Sequence, residues 1–163
     1  MTLKPIHIAI GGAAALLLVL ASSFNTRLLN VLSVFIPDVE SFSAKAYWDV
    51  SRYSWGYGTA APGKDAITTR ENAFHEMVDH LLGDYADLKN RVTRKLNVNQ
   101  WAALLSFSYN LGIGNAHNLL ANINSGNDAA LEVQWKKYIY AGGVVNQDLI
   151  ERRDKEWNLF VTQ

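Results

Sequence analysis

Glu40 and Asp49 stand nine positions apart. The first lies beside a proline, in a segment expected to be helical; the second opens a stretch rich in aromatics, YWDVSRYSWGYGT at 47–59. Two carboxyls so placed could break a glycosidic bond. One, held protonated, gives its proton to the leaving oxygen, and the other, ionised, activates water or stabilises the developing cation. A helix and a nearby hairpin offer different surroundings, which is how two carboxyls acquire different pKa values. Spacing alone is weak support, because most Glu and Asp are solvated surface charges.

Other candidates carry less. His75–Glu76 begins like a zinc-protease helix, but Asp79 stands where the second histidine is needed. Gly112–Ile113–Gly114 follows a helical pattern rather than a strand, so it reads as helix termination and not as a phosphate loop. Lys89, Arg91, Arg94 and Lys95 read as the solvated end of a long helix, where cations complement the dipole. Trp48, Tyr53, Trp55 and Tyr57 crowd the carboxylates and suit either a core or a cleft wall on which sugar faces stack. Nothing calls for a metal or an organic cofactor.

The frame around these residues follows from composition and periodicity. The chain has 163 residues, 49% hydrophobic and 18% charged, which fits one folded domain. It has no cysteine, so a disulfide framework, a thiol nucleophile and thiolate zinc sites are excluded. Fifteen basic residues balance fifteen acidic ones; Lys4 and Arg27 are the only charges among the first 27, which leaves 13 against 15 beyond them, about −2. That balance argues against nucleic acid as a partner.

Ile6–Ala21 reads IHIAIGGAAALLLVLA, with His7 as its one polar side chain and seven Gly or Ala. Extended to Phe24 it is about long enough to cross a membrane, and it is only weakly hydrophobic. Residues 1–25 therefore suit a signal peptide, an anchor, or a segment that inserts and later escapes, with a buried core helix as the plain alternative, and residues 26–163 are expected to form the folded domain that carries the candidate carboxyls.

Beyond it, 25–36 suits a helix or an ordered linker, and Pro37 suits the first turn of a helix running through Glu40. Short strands and tight turns occupy 47–59. Thr68-x-x-Glu71 reads as a capping box opening a helix to about Asn90, with Ala73, Met77, Leu81 and Leu88 on its apolar stripe. Asn97-x-x-Gln100 opens the next, with Trp101, Leu104, Leu105 and Leu111 at helical spacing and Gly112 and Gly114 at its end. Further helices follow at about 116–124, 128–140 and 147–160. The fold class is α+β, mostly helical: a small N-terminal lobe with a short antiparallel sheet, and a larger helical C-terminal lobe.

Several blocks together resemble a family. Glu40-Ser-Phe-Ser-Ala-Lys-Ala-Tyr-Trp-Asp49, followed by Ser54-Trp-Gly-Tyr-Gly-Thr59, is similar to the Glu–eight–Asp–five–Thr signature of the phage-type lysozymes, glycoside hydrolase family 24. Ile67-Thr-Thr-Arg-Glu71, Trp101-Ala-Ala-Leu-Leu-Ser-Phe-Ser-Tyr-Asn-Leu-Gly112, and Tyr140-Ala-Gly-Gly-Val-Val-Asn146 with Arg152–Arg153 match further blocks, so the similarity spans roughly 35–161. The resemblance implies a lysozyme-like fold and inverting hydrolysis of the bond between N-acetylmuramic acid and N-acetylglucosamine in peptidoglycan. Glu40 takes the place of the general acid, Asp49 that of the residue holding the attacking water, and Ser54 that of the family's threonine. The Asp49–Ser54 spacing is one residue shorter than the usual pattern, and serine keeps the hydroxyl's donor and acceptor capacity. Tyr57, Tyr109 and Asn110 are implied as cleft contacts, and Arg152 as the arginine supporting the catalytic glutamate. Inversion requires the carboxyls ~6.5–9.5 Å apart.

The N-terminal segment resembles the signal-anchor-release segments of some endolysins in this family. That implies an exported monomer, tethered to the inner membrane or free in the periplasm, which lyses the bacterial cell. With no cysteine, a thiol in the anchor cannot block the site. Two rivals are a lytic transglycosylase, which breaks the same bond without water and with one acid, and a non-catalytic glycan-binding virion module.

Overall fold

The computed structural model describes residues 23–49 and 51–163. Among the described residues six helices and five short strands follow one another as α1 (Ser23–Val39), β1 (Ser43–Asp49), β2 (Arg52–Gly56), β3 (Thr59–Ala60), α2 (Arg70–Lys89), α3 (Val98–Leu111), α4 (Ile113–Ser125), α5 (Asp128–Trp135), β4 (Tyr140–Ala141), β5 (Val144–Val145) and α6 (Gln147–Val161). β1–β2–β3 form an antiparallel sheet beside a helical body, the α+β arrangement expected. The expected segment 1–25 lies outside the described residues except for its last three, which open α1. Among the described residues no helix is long and apolar enough to cross a membrane.

α3 is the axis of the body. Trp101–Ser108 are all buried, and the helix packs on α1, α2, α4 and α6. An all-round apolar helix has no solvent face to turn outward, so its neighbours must surround it. Its start is fixed locally by the capping box at Asn97, whose side chain accepts from Gln100 N while Gln100 caps the Asn97 N–H. Asn127 and Asn146 cap α5 and α6 with their side chains, accepting from Ala130 N and Leu149 N. Trp135 lies between Phe107, Trp157 and Phe160, closing the core between α3, α5 and α6.

Four expectations are corrected. Pro37 lies inside the last turn of α1, not in the first turn of a later helix. Leu28, Leu32 and Ile36 form a buried stripe at helical spacing, and a proline so near the end removes only the bond to the Ser33 carbonyl before the helix stops. Glu40 thus sits just past the end of α1, its N–H still donating to Ile36 O at 2.8 Å. α2 is capped by Thr69, which accepts from Asn72 N, so the cap is one residue beyond the expected Thr68 box. Gly112 ends α3 at φ +84°, but Gly114 is helical and α4 begins at Ile113. α5 stops at Trp135; 140–145 is a β4–β5 hairpin turning on Gly142 and Gly143, whose φ values of +58° and +81° meet the need of a tight hairpin turn for two left-handed residues.

Candidate active site

Glu40 is placed by the end of α1 and met by α6. Arg152 Nη1 donates to Glu40 Oε1 at 2.5 Å, and the glutamate side chain keeps 21% exposure against 6% for the arginine. Burial is the larger influence and pushes the Glu40 carboxyl above the ordinary glutamate range, although Arg152 pulls it down. Tyr109 from α3 feels the same site: burial and then the Glu40 charge push its phenol up. Its hydroxyl donates to Tyr57 O at 2.9 Å.

Asp49 and Ser54 come from the sheet. β1 pairs with β2 through Tyr47↔Ser54, Trp48↔Tyr53 and Asp49↔Arg52. Directly opposed residues share a face and alternate residues return to it, so Tyr47, Asp49 and Ser54 project together. Ser54 Oγ donates to Asp49 Oδ2 at 3.4 Å, and Ser54 is wholly buried while Asp49 is exposed. The Tyr47 phenol is pushed up first by partial burial and then by the negative charges of Asp49 and Glu40. The sequence offered no reason to single out Tyr47 other than its parity with Asp49 along the strand.

The Gly56–Tyr57–Gly58 turn brings the sheet to the acid. A side chain at Gly56, φ +59°, would drive its Cβ to 2.7 Å from the Ala73 Cβ of α2, so only glycine allows this approach. At Gly58 a Cβ would lie 3.9 Å from Glu40 Oε2. Glu76 secures the same hairpin, Oε2 accepting from Trp55 Nε1 at 2.9 Å and Thr59 Oγ1 at 2.8 Å. Among the described residues no group of three or more potential metal ligands gathers.

Of the expected contacts, Tyr57 is buried against Phe42 and offers its carbonyl to Tyr109. Asn110 Oδ1 accepts from Arg153 Nη2 at 2.9 Å. The aromatic stretch divides: Trp48 is 62% exposed and edge-on to Tyr53, whereas Tyr57 belongs to the core. Arg152 is a buried residue, not a helix-surface ion pair, and its Nε donates to Glu156 Oε1 at 3.1 Å. Glu156 escaped the sequence reading; its one signal is its position, four residues after Arg152 and three after Arg153 on one helix face.

Comparison with known proteins places the chain. Residues 37–156 match the model of the phage lysozyme family. The endolysin of Bacillus phage PZA is 32% identical over 134 residues, 77% of this chain and 51% of that protein. The chain thus spans about half the length of the curated relatives it matches. The muramidase domain of SpmX from Asticcacaulis excentricus superposes with a TM-score of 0.74 at 27% identity, covering 82% of this chain and 96% of that one. An endolysin from Escherichia coli O157:H7 phage FAHEc1 shares the fold at a TM-score of 0.69 and 22% identity, covering 86% of this chain and 94% of that one.

Proposed function

The chain belongs to the phage lysozyme family, and from that premise we propose that it is an endolysin-type muramidase, cutting the β-1,4 bond between N-acetylmuramic acid and N-acetylglucosamine in peptidoglycan with inversion. The observation that carries this reading is the contrast between two carboxyls near one phenol. Glu40 is enclosed and held toward its protonated form, while Asp49 is exposed and hydrogen-bonded by Ser54.

In this mechanism Glu40 passes its proton to the glycosidic oxygen as the bond breaks. Asp49 takes a proton from water, which attacks the anomeric carbon from the opposite face. Ser54, donating to Asp49 Oδ2, leaves the other carboxylate oxygen for that water. Arg152 orients the Glu40 carboxyl and receives it as a carboxylate once the proton has gone. Tyr109 and Tyr57 shape the floor behind the acid, and Asn110 reaches the site through Arg153. The substrate lies outside the bacterial inner membrane, so the reading includes export of a monomeric body, with residues 1–25 as signal or releasable anchor.

The test is mass spectrometry of muropeptides released from purified peptidoglycan by the protein and by Glu40→Gln. Muramic acid at new reducing ends, absent with the variant, is the expected result. Anhydro-muramic ends would instead make it a transglycosylase and remove the water step from Asp49. A folded wild type that releases nothing would leave a glycan-binding module. Fractionation finding the chain only in the cytoplasm would sink the export reading.

A further inference from the structure

Glu156 has no part in the mechanism above, yet it is the most heavily engaged carboxylate among the described residues. It is wholly buried in α6, and Oε1 accepts from Ser106 Oγ at 2.8 Å, Arg152 Nε at 3.1 Å and Arg153 Nη2 at 2.9 Å. Oε2 accepts from Trp135 Nε1 at 3.1 Å and lies 2.9 Å from Arg153 Nε. We propose that Glu156 is a positioning residue for Glu40: it holds the Arg152 guanidinium with Nη1 on the acid and offsets the charge of Arg153, so that the two arginines do not strip the acid of its proton. The inference rests on reading Glu40 as the proton donor.

The geometry gives Glu156 this role and no simpler one. Anchoring α6 to α3 and α5 needs only the Ser106 and Trp135 bonds. The bond to Arg152 Nε fixes the opposite edge of a planar group whose Nη1 reaches Glu40, and Arg152 Nη2 is steadied by the Ser106 carbonyl at 3.3 Å. Arg153 stays within the core, its guanidinium 4.9 Å from the Phe107 ring centre. With Glu40 ionised, two carboxylates face two guanidiniums and the cluster is neutral. With Glu40 protonated it carries one positive charge, and without Glu156 it would carry two.

The groups that act on Glu40 come from three directions. Arg152, Arg153 and Glu156 face it from α6, the phenol of Tyr109 from α3, and Tyr47, itself coupled to Asp49, from β1. Glu156 pushes the Glu40 carboxyl up and Arg153 pushes it down. Removing each should therefore move the acid in opposite directions.

The experiment follows the Glu40 side-chain carboxyl carbon by NMR titration in the full chain, together with the alkaline limb of lysis against pH. In Glu156→Gln both should fall by on the order of one pH unit. In Arg153→Met, which leaves an apolar chain beside Phe107, both should rise. A folded Glu156→Gln with an unmoved midpoint would overturn the proposal, because a merely structural glutamate would lower the folded fraction and leave the titration alone. Should Glu156→Gln not fold, Arg153→Met decides: a rise supports the balanced cluster, and a fixed or falling midpoint rejects it. Glu40→Gln run in parallel separates the two readings. If it still lyses, the acid assignment fails, while the Glu40 midpoint continues to report on Glu156.

Discussion

Glu40 meets Arg152 across 112 residues of chain, whereas Asp49 and Ser54 meet across five within one hairpin. The acid side is sunk among helices, with Arg152, Arg153, Glu156 and Ser106 buried around it. The water side lies on a thin sheet, where Asp49, Trp48 and Tyr47 are exposed. An acid that must keep its proton needs desolvation, and desolvation takes a finished tertiary core. A carboxylate that must serve as a base needs access to water, and a hairpin supplies that locally. One side should therefore couple strongly to folding and the other mainly to rate.

The largest effect is expected at Arg152. Arg152→Met leaves Glu156 and Glu40 short of a cation inside the body, which costs about 3–5 kcal/mol when one partner of a buried pair is removed. Urea denaturation at neutral pH measures it. From the same helix the exposed Lys155 reaches Asp38 of α1 at 2.9 Å and gives the scale for comparison, since Lys155→Ala should cost under about 1 kcal/mol. Equal costs for the two would mean that burial gives the acid side no special hold on the fold.

Asp49→Asn should do the reverse. Lysis is expected to fall by about 10²–10⁴-fold, the usual worth of a general base, with stability within about 0.5 kcal/mol of wild type because the side chain is exposed. Rate assays beside thermal melts separate the two quantities. Full activity in a folded Asp49→Asn would strip the sheet of its catalytic role and favour the single-acid chemistry of a transglycosylase.

A smaller effect, and a sharper one, lies in pH. The folded-state pKa of Glu40 is raised, so above the ordinary glutamate value of about 4.3 the folded chain holds a proton that the unfolded chain has lost. Stability then falls as pH rises through that window. Glu40→Gln removes this dependence, so its unfolding free energy should gain on wild type as pH rises above about 4.3. Parallel curves for Glu40→Gln and wild type would mean that burial does not govern the acid.

What the sequence disclosed follows the same division. Asn97-x-x-Gln100, the Trp101–Leu105 spacing and the stripe from Ala73 to Leu88 are local signals, and each stands in the fold as read. Asp49 and Ser54 needed only strand parity: with Asp49 opposite Arg52, Ser54 falls opposite Tyr47 and on the face of Asp49, so the spacing shorter by one residue is absorbed by the turn. Pro37 misled because its local meaning, the start of a helix, lost to the burial of Leu28, Leu32 and Ile36. The β4–β5 strands have two residues each, too few to show a period. Glu156 was illegible because its partners Ser106 and Trp135 lie on other helices, and no spacing within α6 announces them.

The smallest effect tests how far the sheet's position, as distinct from its chemistry, matters. Glu76 on α2 accepts from both Trp55 and Thr59, which face each other across β2 and β3, and Ser54 is the residue next to Trp55. Thr59→Val keeps the shape and removes one donor, which should cost about 0.5–1.5 kcal/mol. Trp55 still holds Glu76, so the hairpin keeps its place and lysis should stay within a few-fold of wild type. If lysis instead fell a hundredfold while the fold survived, the water side would depend on a contact to the helical body as tightly as the acid side does. The hairpin would then be a positioned part of the site, and the contrast between its two halves would reduce to one of exposure alone.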